Sequence, residues 1–323
     1  MGVKKAVIAF GGNAILKEKE RGTVSEQLQH CRETCDALLD ILDKGYELII
    51  VHGNGPQVGN MLIQMEEAGG KTPSLPLDVC VAATQGTMGF MLEIEMRNQL
   101  RERGIEREVT TLVTQVVIDP DIEKFEHPTK PVGPFYSAQR AEELRQEKHW
   151  EIVEDSHRGF RRVVPSPRPV QILGIQTIKS LVERGHIIIA GGGGGIPLLR
   201  EEGGRMVGVE AVVDKDYTAS LLAREVEAEL FIILTRVPGV AIGFRTERER
   251  FLDRLTVQEA RKYLASGEFP PGSMGPKVSA ALDFVEATGQ EVLITAPEVL
   301  KQALEGLTGT RLVKDDVPSV KLM

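Results

Sequence analysis

The chain of 323 residues is 41% apolar but only 5% aromatic. Its core must therefore be built mainly from aliphatic side chains, which is typical of helices packed on a parallel sheet. A formal net charge of −8 argues against nucleic-acid binding, which requires a basic face, but it permits a local cationic pocket. No apolar run approaches the roughly 18 residues of a membrane span, and the N-terminus has no signal-peptide pattern. We therefore expect a cytoplasmic protein that binds neither nucleic acid nor membrane.

Strands and helices alternate through residues 1–118. Buried strands are predicted at 4–10, 46–51 and 109–117, and helices at 24–43, 57–68 and 78–103. Thr23 and Glu26 fit a capping box at the start of the first helix, and Gly45 fits its end. The first two strands run directly into glycine-rich turns.

The alternation breaks between residues 119 and 168. This stretch mixes charged residues with six prolines and contains Trp150, the single tryptophan of the chain. We interpret it as an inserted subdomain or lid. The alternative is an elaborated surface loop.

Regular alternation resumes after the insertion. Helices are predicted near 171–184, from Val212 to about 224, and at 256–265, 277–287 and 297–305, with strands at 186–190, 230–234 and 291–295. Alternating β and α units of this kind predict an α/β fold with an open, mostly parallel sheet that is covered on both faces.

Three predicted strands end in glycine clusters, at 11–12, 53–55 and 191–195. Ligands of open parallel sheets bind beyond the carboxyl ends of the strands. Glycine lets the backbone approach a ligand closely, and exposed N–H groups at a helix start favour anions. One such cluster can be a tight connection only, but three at strand ends favour phosphate binding.

The familiar nucleotide and hydrolase motifs are absent from the sequence. It has no P-loop, no well-placed dinucleotide fingerprint, no protein-kinase signature set and no G-x-S-x-G elbow. The histidines show no metal-ligand spacing, and His52 beside a glycine turn is at least as well explained by a structural hydrogen bond. Chemistry at this site therefore has to use other side chains.

Three lysines stand in informative contexts. Lys215 lies between Asp214 and Asp216 at a helix start, Lys277 follows a glycine-rich loop, and Lys130 lies in a proline-flanked turn of the insertion. A lone lysine is usually a solvated surface charge. Phosphoryl transfer, however, depends mainly on positioned cations, and the two aspartates could hold Lys215 in place or engage Mg²⁺.

The combination of these motifs resembles the carbamate kinases, which belong to the amino-acid kinase superfamily. The matching stretches are Gly11-Gly12-Asn13-Ala14, His52-Gly53-Asn54-Gly55-Pro56-Gln57-Val58-Gly59, Pro128-Thr129-Lys130-Pro131-Val132-Gly133-Pro134-Phe135-Tyr136, Arg161-Arg162-Val163-Val164-Pro165-Ser166-Pro167, Val213-Asp214-Lys215-Asp216 and Gly272-Ser273-Met274-Gly275-Pro276-Lys277. They cover nearly the whole chain in the family's order. The stretches at 128–136 and 161–167 are the most discriminating.

The resemblance implies ATP + carbamate ⇌ ADP + carbamoyl phosphate, with Mg²⁺ bound alongside ATP or ADP, and a role in arginine metabolism. It implies a homodimer of a single domain, in which a three-layer αβα sandwich carries a small protruding lid subdomain. Residues 1–118 would bind carbamoyl phosphate, 119–168 would form the lid, and 169–323 would bind the nucleotide.

The family's site residues carry over to matching positions. The resemblance implies that Lys130, Lys215 and Lys277 neutralise the transferring phosphate and that Asp216 orients the lysines. It implies a carbamoyl-phosphate cradle formed by Gly11, Gly12, Asn13, Gly53, Asn54 and Gly55. It implies nucleotide contacts at Gly192, Gly193, Asp214, Leu234, Thr235 and Met274. No side chain is assigned as a metal ligand.

One departure from the family concerns the predicted nucleotide pocket. Arg236 replaces the usual aspartate after the strand at 230–234, and Ala241-Ile242 replace the usual tyrosine. Arg236 could pair with a phosphate or spoil a contact. Two alternatives therefore stay open: a relative that acts on another carboxylate or phosphate, and a non-catalytic protein that binds a nucleotide or carbamoyl phosphate.

Overall fold

A computed structural model describes residues 3–16, 20–155, 158–270 and 272–315, and the side chain of Asn13 lies outside this description. Up to residue 118 the elements are β1 (Lys5–Phe10), α1 (Val24–Leu42), β2 (Glu47–His52), α2 (Gly55–Glu67), α3 (Leu77–Glu102), β3 (Val109–Thr111) and β4 (Gln115–Ile118), with a 3-10 turn at Gly12–Ala14. The predicted capping box is confirmed, because Thr23 and Glu26 each accept a hydrogen bond from the other's backbone N–H.

Residues 119–168 form a small sheet with its own apolar cluster. The elements are α4 (Ile122–Glu126), β5 (Lys130–Tyr136), α5 (Ala138–Lys148), β6 (Ile152–Glu154) and β7 (Phe160–Val164). The three strands pair antiparallel in the order β5-β7-β6. Ala141, Leu144 and Ile152 are buried beneath Trp150 and Phe160, a packed arrangement that a surface loop lacks.

The remaining elements return to the α/β pattern. They are β8 (Pro169–Ile172), α6 (Ile175–Val182), β9 (Ile187–Ile189), β10 (Ile196–Arg200), β11 (Met206–Gly208), α7 (Lys215–Glu225), β12 (Leu230–Leu234), β13 (Val240–Ile242), β14 (Arg250–Leu252), β15 (Arg254–Thr256), α8 (Val257–Ala265), α9 (Met274–Thr288), β16 (Glu291–Thr295), α10 (Leu300–Leu304) and β17 (Thr310–Val313), with 3-10 turns at Gly192–Gly194 and Pro297–Val299.

An eight-stranded sheet organises the fold, in the order β15-β17-β16-β12-β1-β2-β9-β3. Its neighbours pair parallel except β16 and β17, which pair antiparallel. At the centre, Ile8 stands opposite Ile50 on one side and Ile232 on the other. The predicted α/β class with an open, mostly parallel sheet is confirmed.

Helices cover both faces of this sheet. Along β1, Val7 and Ala9 enter the cluster that includes residues of α6, α7, α8 and α9. The alternating Ala6, Ile8 and Phe10 enter a second cluster, with residues of α1, α3 and α10. Because successive side chains of a strand point to opposite faces, this alternation produces the three layers that were predicted.

The single strand predicted at 109–117 is wrong, because the chain leaves the main sheet in the middle of it. β3 pairs with β9 in the main sheet, whereas β4 joins a second sheet of order β11-β10-β4-β8. Thr114 marks the change: its N–H donates to Gln85 Oε1 at 2.7 Å, and its hydroxyl accepts from the Gly191 N–H at 2.9 Å. These contacts replace ladder hydrogen bonds.

Other boundaries also differ from the prediction. Residues 169–172 pair with β4 as a strand, so α6 begins at Ile175 instead of 171. α9 begins at Met274, three residues before the predicted start. Six short strands were not predicted because they carry no clear alternation: β10, β11, β13, β14, β15 and β17. Within the described ranges, no helix combines the length and apolarity needed to cross a bilayer.

Candidate active site

A cavity of about 880 Å³ opens at the carboxyl ends of β1 and β12. The predicted site residues that line it are Gly11, Lys130, Asp214, Lys215, Asp216, Leu234, Thr235 and Lys277. They come from both halves of the chain and from the 119–168 segment. The structure thus brings together, in one cavity, side chains that are as much as 266 positions apart in sequence (from 11 to 277).

Two aspartates and three lysines form a connected network in this cavity. Asp216 accepts from Lys215 Nζ at 2.9 Å through one oxygen and from Lys277 Nζ at 2.8 Å through the other. Asp214 accepts from Lys130 Nζ at 2.9 Å. Every lysine proposed from the sequence is therefore held by a carboxylate, and Asp216 alone bridges two of them.

The start of α7 positions most of this network. Asp214 is the N-cap residue, and its side chain accepts from the Asp216 N–H at 3.0 Å. Lys215 and Asp216 therefore occupy the first turn of the helix, where the helix dipole favours negative charge. Asp216 is only 2% exposed, so its orientation is set by the surrounding protein.

The lysines keep both aspartates ionised. Burial alone would raise the pKa of Asp214, but Lys130 and Lys215 outweigh it and hold this pKa well below its usual value. Burial also acts to raise the pKa of Asp216, and Lys215 with Lys277 reverses that effect and lowers it. Both carboxylates therefore carry a full negative charge at neutral pH.

Burial acts to lower the pKa of both Lys215 and Lys277, but the net shifts of the two are opposite. Burial would lower the pKa of Lys215, but Asp216 and Asp214 raise it above the ordinary value. Burial and the neighbouring charge of Lys215 together lower the pKa of Lys277. Three ammonium groups facing two carboxylates leave one positive charge in excess, and an anionic ligand would stabilise Lys277 in its charged form.

Glycines allow the first two βα turns to touch. The Gly53 N–H donates to the Phe10 carbonyl at 2.8 Å. A Cβ on Gly53 would lie 2.6 Å from the Gly12 nitrogen and 3.2 Å from Lys215 Cδ. Gly11 lines the cavity, whereas Gly12, Gly53, Asn54 and Gly55 belong to the same two turns, next to the start of α2, but lie outside the lining. Such a helix start presents N–H groups to an anion.

Gly192 and Gly193 lie away from the cavity lining. All five glycines from 191 to 195 are buried. A Cβ on Gly192 would lie 2.4 Å from His52 Nε2, and one on Gly193 would lie 2.2 Å from Asn54 Nδ2. These glycines let the turn after β9 pack against the turn after β2. Their predicted contact with a nucleotide finds no support in the cavity lining.

Met274 is likewise outside the lining, although its neighbours Gly272 and Ser273 belong to it. Met274 packs partly buried against the cluster beneath α9. The loop before α9 therefore presents its backbone and Ser273 to the cavity, and directs the methionine side chain inward.

His52 is buried behind the glycine turns, and burial lowers its pKa to about 4. The ring is therefore neutral at neutral pH. Its Nδ1 lies 3.2 Å from the Gly53 carbonyl oxygen, and a neutral ring makes that contact only with its proton on Nδ1. This geometry agrees with the structural hydrogen bond considered from the sequence.

Two helices that sequence reasoning did not include form the far wall of the cavity. The additional lining residues are Ala14, Glu33, Thr34, Asp36, Ala37, Asp40, Arg236, Gly272, Ser273, Pro297, Glu298 and Lys301. Those on α1 look like an ordinary solvated face in the sequence. They reach the cavity because α1 packs beside α10, which only the tertiary structure reveals.

A protein-bound Mg²⁺ would need oxygen ligands that are not already engaged. Hard cations of this kind bind carboxylate, carbonyl and water oxygens. Both oxygens of Asp216 and both oxygens of Asp214 already accept hydrogen bonds, from lysines or from the Asp216 N–H. The two aspartates hold the lysines in place and fit poorly as a dedicated metal cage.

Comparison with known proteins agrees with this geometry. The amino acid kinase family matches residues 4–296. A carbamate kinase of Pyrococcus furiosus is 47% identical over 96% of this chain and 99% of its own length, and one of Thermococcus kodakarensis is 47% identical over 97% and 100%. The structure of carbamate kinase from Giardia lamblia bound to AMP-PNP matches with a TM-score of 0.91 at 40% identity, covering 97% of this chain and 99% of that one. The chain therefore belongs to the amino acid kinase family and, within it, to the carbamate kinases.

Proposed function

We propose that this protein transfers a phosphoryl group reversibly between ATP and carbamate, so that ADP and carbamoyl phosphate yield ATP and carbamate in the reverse direction. The observation that carries the proposal is the pairing of Lys215 and Lys277 on the two oxygens of Asp216, in a cavity that Gly11 and Thr235 also line. This arrangement fixes two ammonium groups on the two oxygens of one carboxylate.

The proposed reaction needs no general base. In the direction of ATP synthesis, a terminal phosphate oxygen of ADP attacks the phosphorus of carbamoyl phosphate, and the bond from phosphorus to the carbamate oxygen breaks. Carbamate leaves as an anion, so no proton has to be supplied. The main demands are positioning of the reactants and neutralisation of the negative charge on the transferring group, which Lys215, Lys277 and Lys130 are placed to meet.

We assign the substrates to different parts of the chain. Residues 1–118 would bind carbamoyl phosphate through the turns at 11–13 and 53–55, and residues 169–323 would bind the nucleotide near Asp214, Leu234 and Thr235. Residues 119–168 would act as the lid that supplies Lys130. The 2.9 Å contact from Lys130 to Asp214 supports this last assignment. Nucleotide contacts at Gly192, Gly193 and Met274 stay predictions.

Mg²⁺ would arrive with the nucleotide. Because the oxygens of Asp214 and Asp216 already accept hydrogen bonds from lysines or from the Asp216 N–H, the ion would be held mainly by the phosphates of the nucleotide. When bound, it would neutralise phosphate charge. The cytoplasmic location and the role in arginine metabolism stay predictions.

A homodimer would cover an apolar stripe on α3. Val79, Phe90 and Ile94 lie on one face of this helix and are 41%, 62% and 40% exposed, and Val113 beside it is 59% exposed. Contiguous exposed apolar side chains mark interaction surfaces.

We expect Phe90→Lys to shift the protein to monomers, measured by light scattering during gel filtration. Phe251→Lys, at an exposed phenylalanine of the β14 strand, is the control, and a dimeric Phe90→Lys protein would contradict this interface.

ATP formation from ADP, Mg²⁺ and carbamoyl phosphate tests the proposed function, with acetyl phosphate as a parallel donor. We expect ATP from carbamoyl phosphate at many turnovers per second. ATP from acetyl phosphate in preference would indicate a different acceptor. If calorimetry detects ADP binding but no ATP forms, the chain is a binding protein, and Arg236→Asp is the first variant to examine because Arg236 lines the cavity.

A further inference from the structure

Arg168 lies where the 119–168 segment rejoins the rest of the chain. The backbone N–H of Asp119, where the segment begins, donates to the Arg168 carbonyl at 2.9 Å. The Arg168 guanidinium carbon lies 3.7 Å from the centre of the Tyr217 ring. Its Nη1 pairs with the Asp283 carboxylate, and its Nη2 donates to the Ser279 hydroxyl at 3.2 Å. One side chain therefore contacts both α7 and α9.

These contacts fall beside the reactive lysines. Tyr217 follows Asp216 in the first turn of α7, and Ser279 stands two residues after Lys277 in α9. Asp216 is the direct link between Lys215 and Lys277, but these two like charges repel each other. Arg168 supplies a second polar connection between these two helices, which also share an apolar cluster, on the side of the segment base.

We propose that Arg168 is a positioning residue that fixes the spacing of Lys215 and Lys277 and ties it to the base of the segment carrying Lys130. The inference rests on the proposed function. Arginine suits the role because its planar fork stacks on an aromatic ring and also donates to two acceptors. Misplacement of a reacting group by about 1 Å can cost about 10²-fold in rate, so the spacing matters for turnover.

Loss of the Arg168–Asp283 contact should affect turnover more than stability, because both side chains are partly exposed to solvent. The Arg168 and Asp283 side chains are 39% and 35% exposed, and ion pairs in such positions contribute little to stability. Loss of the contact should therefore lower kcat by about tenfold or more, while the KM for ADP and the melting temperature change little.

Arg168→Met and Tyr217→Leu in the full-length protein test the proposal by ATP formation from carbamoyl phosphate. We expect each variant to lose about tenfold in kcat with the KM for ADP within about twofold, and the double variant to lose no more than either, because both break the same connection from α7 through Arg168 to α9. Arg168→Lys should recover part of the rate. Arg261→Met is the matched control: Arg261 donates to Glu286 of α9 at 2.8 Å, neither residue lines the cavity, and its removal should leave kcat unchanged.

A wild-type kcat in Arg168→Met would overturn the inference alone. So would a loss of rate that matches the loss of folded protein by circular dichroism, or an equal loss in Arg261→Met. Failure of the wild-type chain to form ATP is a separate result, because it would remove the proposed function and this inference with it.

Discussion

Asp216 shows how single residues set the chemistry of the cavity. Each of its oxygens accepts from a different lysine, at 2.9 and 2.8 Å, and the side chain is almost completely buried. Cations held in advance stabilise developing charge without reorganising at the moment of reaction. The excess positive charge of the network is therefore directed at the position where we place the transferring phosphate.

Lys215→Met should reduce kcat for ATP formation by at least about 10²-fold, the effect of removing one preorganised donor. Methionine keeps the packing of the side-chain stem, and Lys277 still pairs with Asp216. Steady-state kinetics with carbamoyl phosphate and ADP measures the change. Lys262→Met, on the exposed surface of α8, is the control, and a near-normal rate in Lys215→Met would contradict the assigned role.

His52 should make folding stability depend on pH. Its pKa is 6.5 in the unfolded chain and about 4 in the folded one, so only the unfolded state binds this proton between those values. The free energy of unfolding should therefore fall as the pH drops from 6.5 to 4, by about 3 kcal/mol at 1.36 kcal/mol per pKa unit. Above pH 6.5 this contribution is fully present.

Urea unfolding of the wild type and of His52→Gln at pH 7 and pH 5 measures this effect. Other titrating groups contribute equally to both proteins, so the difference between them isolates His52. The variant should lose less stability than the wild type on acidification. Equal losses would show that His52 does not titrate in this way.

At the scale of elements, the glycine run before β10 packs against the start of α7. Gly194 has φ +92°, and a Cβ there would lie 2.1 Å from the carbonyl oxygen of Val213, immediately before the N-cap Asp214. The Thr218 hydroxyl donates to the Gly194 carbonyl at 2.7 Å. The start of the lysine-bearing helix therefore packs directly on this turn.

Gly194→Ala should destabilise the fold by at least about 2 kcal/mol more than Gly203→Ala, measured by urea unfolding. Both glycines have φ near +90°, but a Cβ at Gly203 meets nothing within 4 Å. The control therefore reports backbone strain alone, of about 1–2 kcal/mol, and the excess reports the clash with Val213. Equal losses of stability in the two variants would show that the turn accommodates the added Cβ at Gly194 without further destabilisation.

At the scale of the whole molecule, polar contacts hold the 119–168 segment against the core. Lys130 pairs with Asp214, and Arg162 pairs with Glu210 at 2.8 Å. The Tyr136 hydroxyl donates to Glu66 at 3.1 Å. These contacts join the small sheet to α2 and to the chain before α7, so the segment and the cavity are parts of one structure.

Replacing residues 120–167 with two glycines should leave a folded main sheet and abolish ATP formation, because Lys130 is lost. The join is short, since the backbones of Asp119 and Arg168 are already hydrogen-bonded. Circular dichroism and the ATP assay measure the two outcomes. Lys130→Met in the intact chain tests the lysine separately, and turnover by the shortened protein would contradict the lid role.

Local patterns in the sequence predicted much of the main sheet. The apolar runs at 230–234 and 291–295 are strands with those bounds, and the capping signal at Thr23 marks the start of α1. Such signals are local, because a buried strand and a helix cap are each encoded within a few residues. The division of 109–117 between two sheets was missed, because it depends on Gln85 and Gly191, which are distant in sequence.

The difference between local sequence signals and contacts of distant residues also applies to the candidate site. By itself, the sequence identified the five residues of the lysine–aspartate network, Lys130, Asp214, Lys215, Asp216 and Lys277, through their motifs, since phosphate chemistry selects such side chains in such contexts. Only the tertiary structure decided that Asp216 bridges two lysines, that Gly192 and Gly193 pack against His52 and Asn54, and that α1 forms a cavity wall. Contacts of this kind depend on how separate elements meet, which no local pattern encodes.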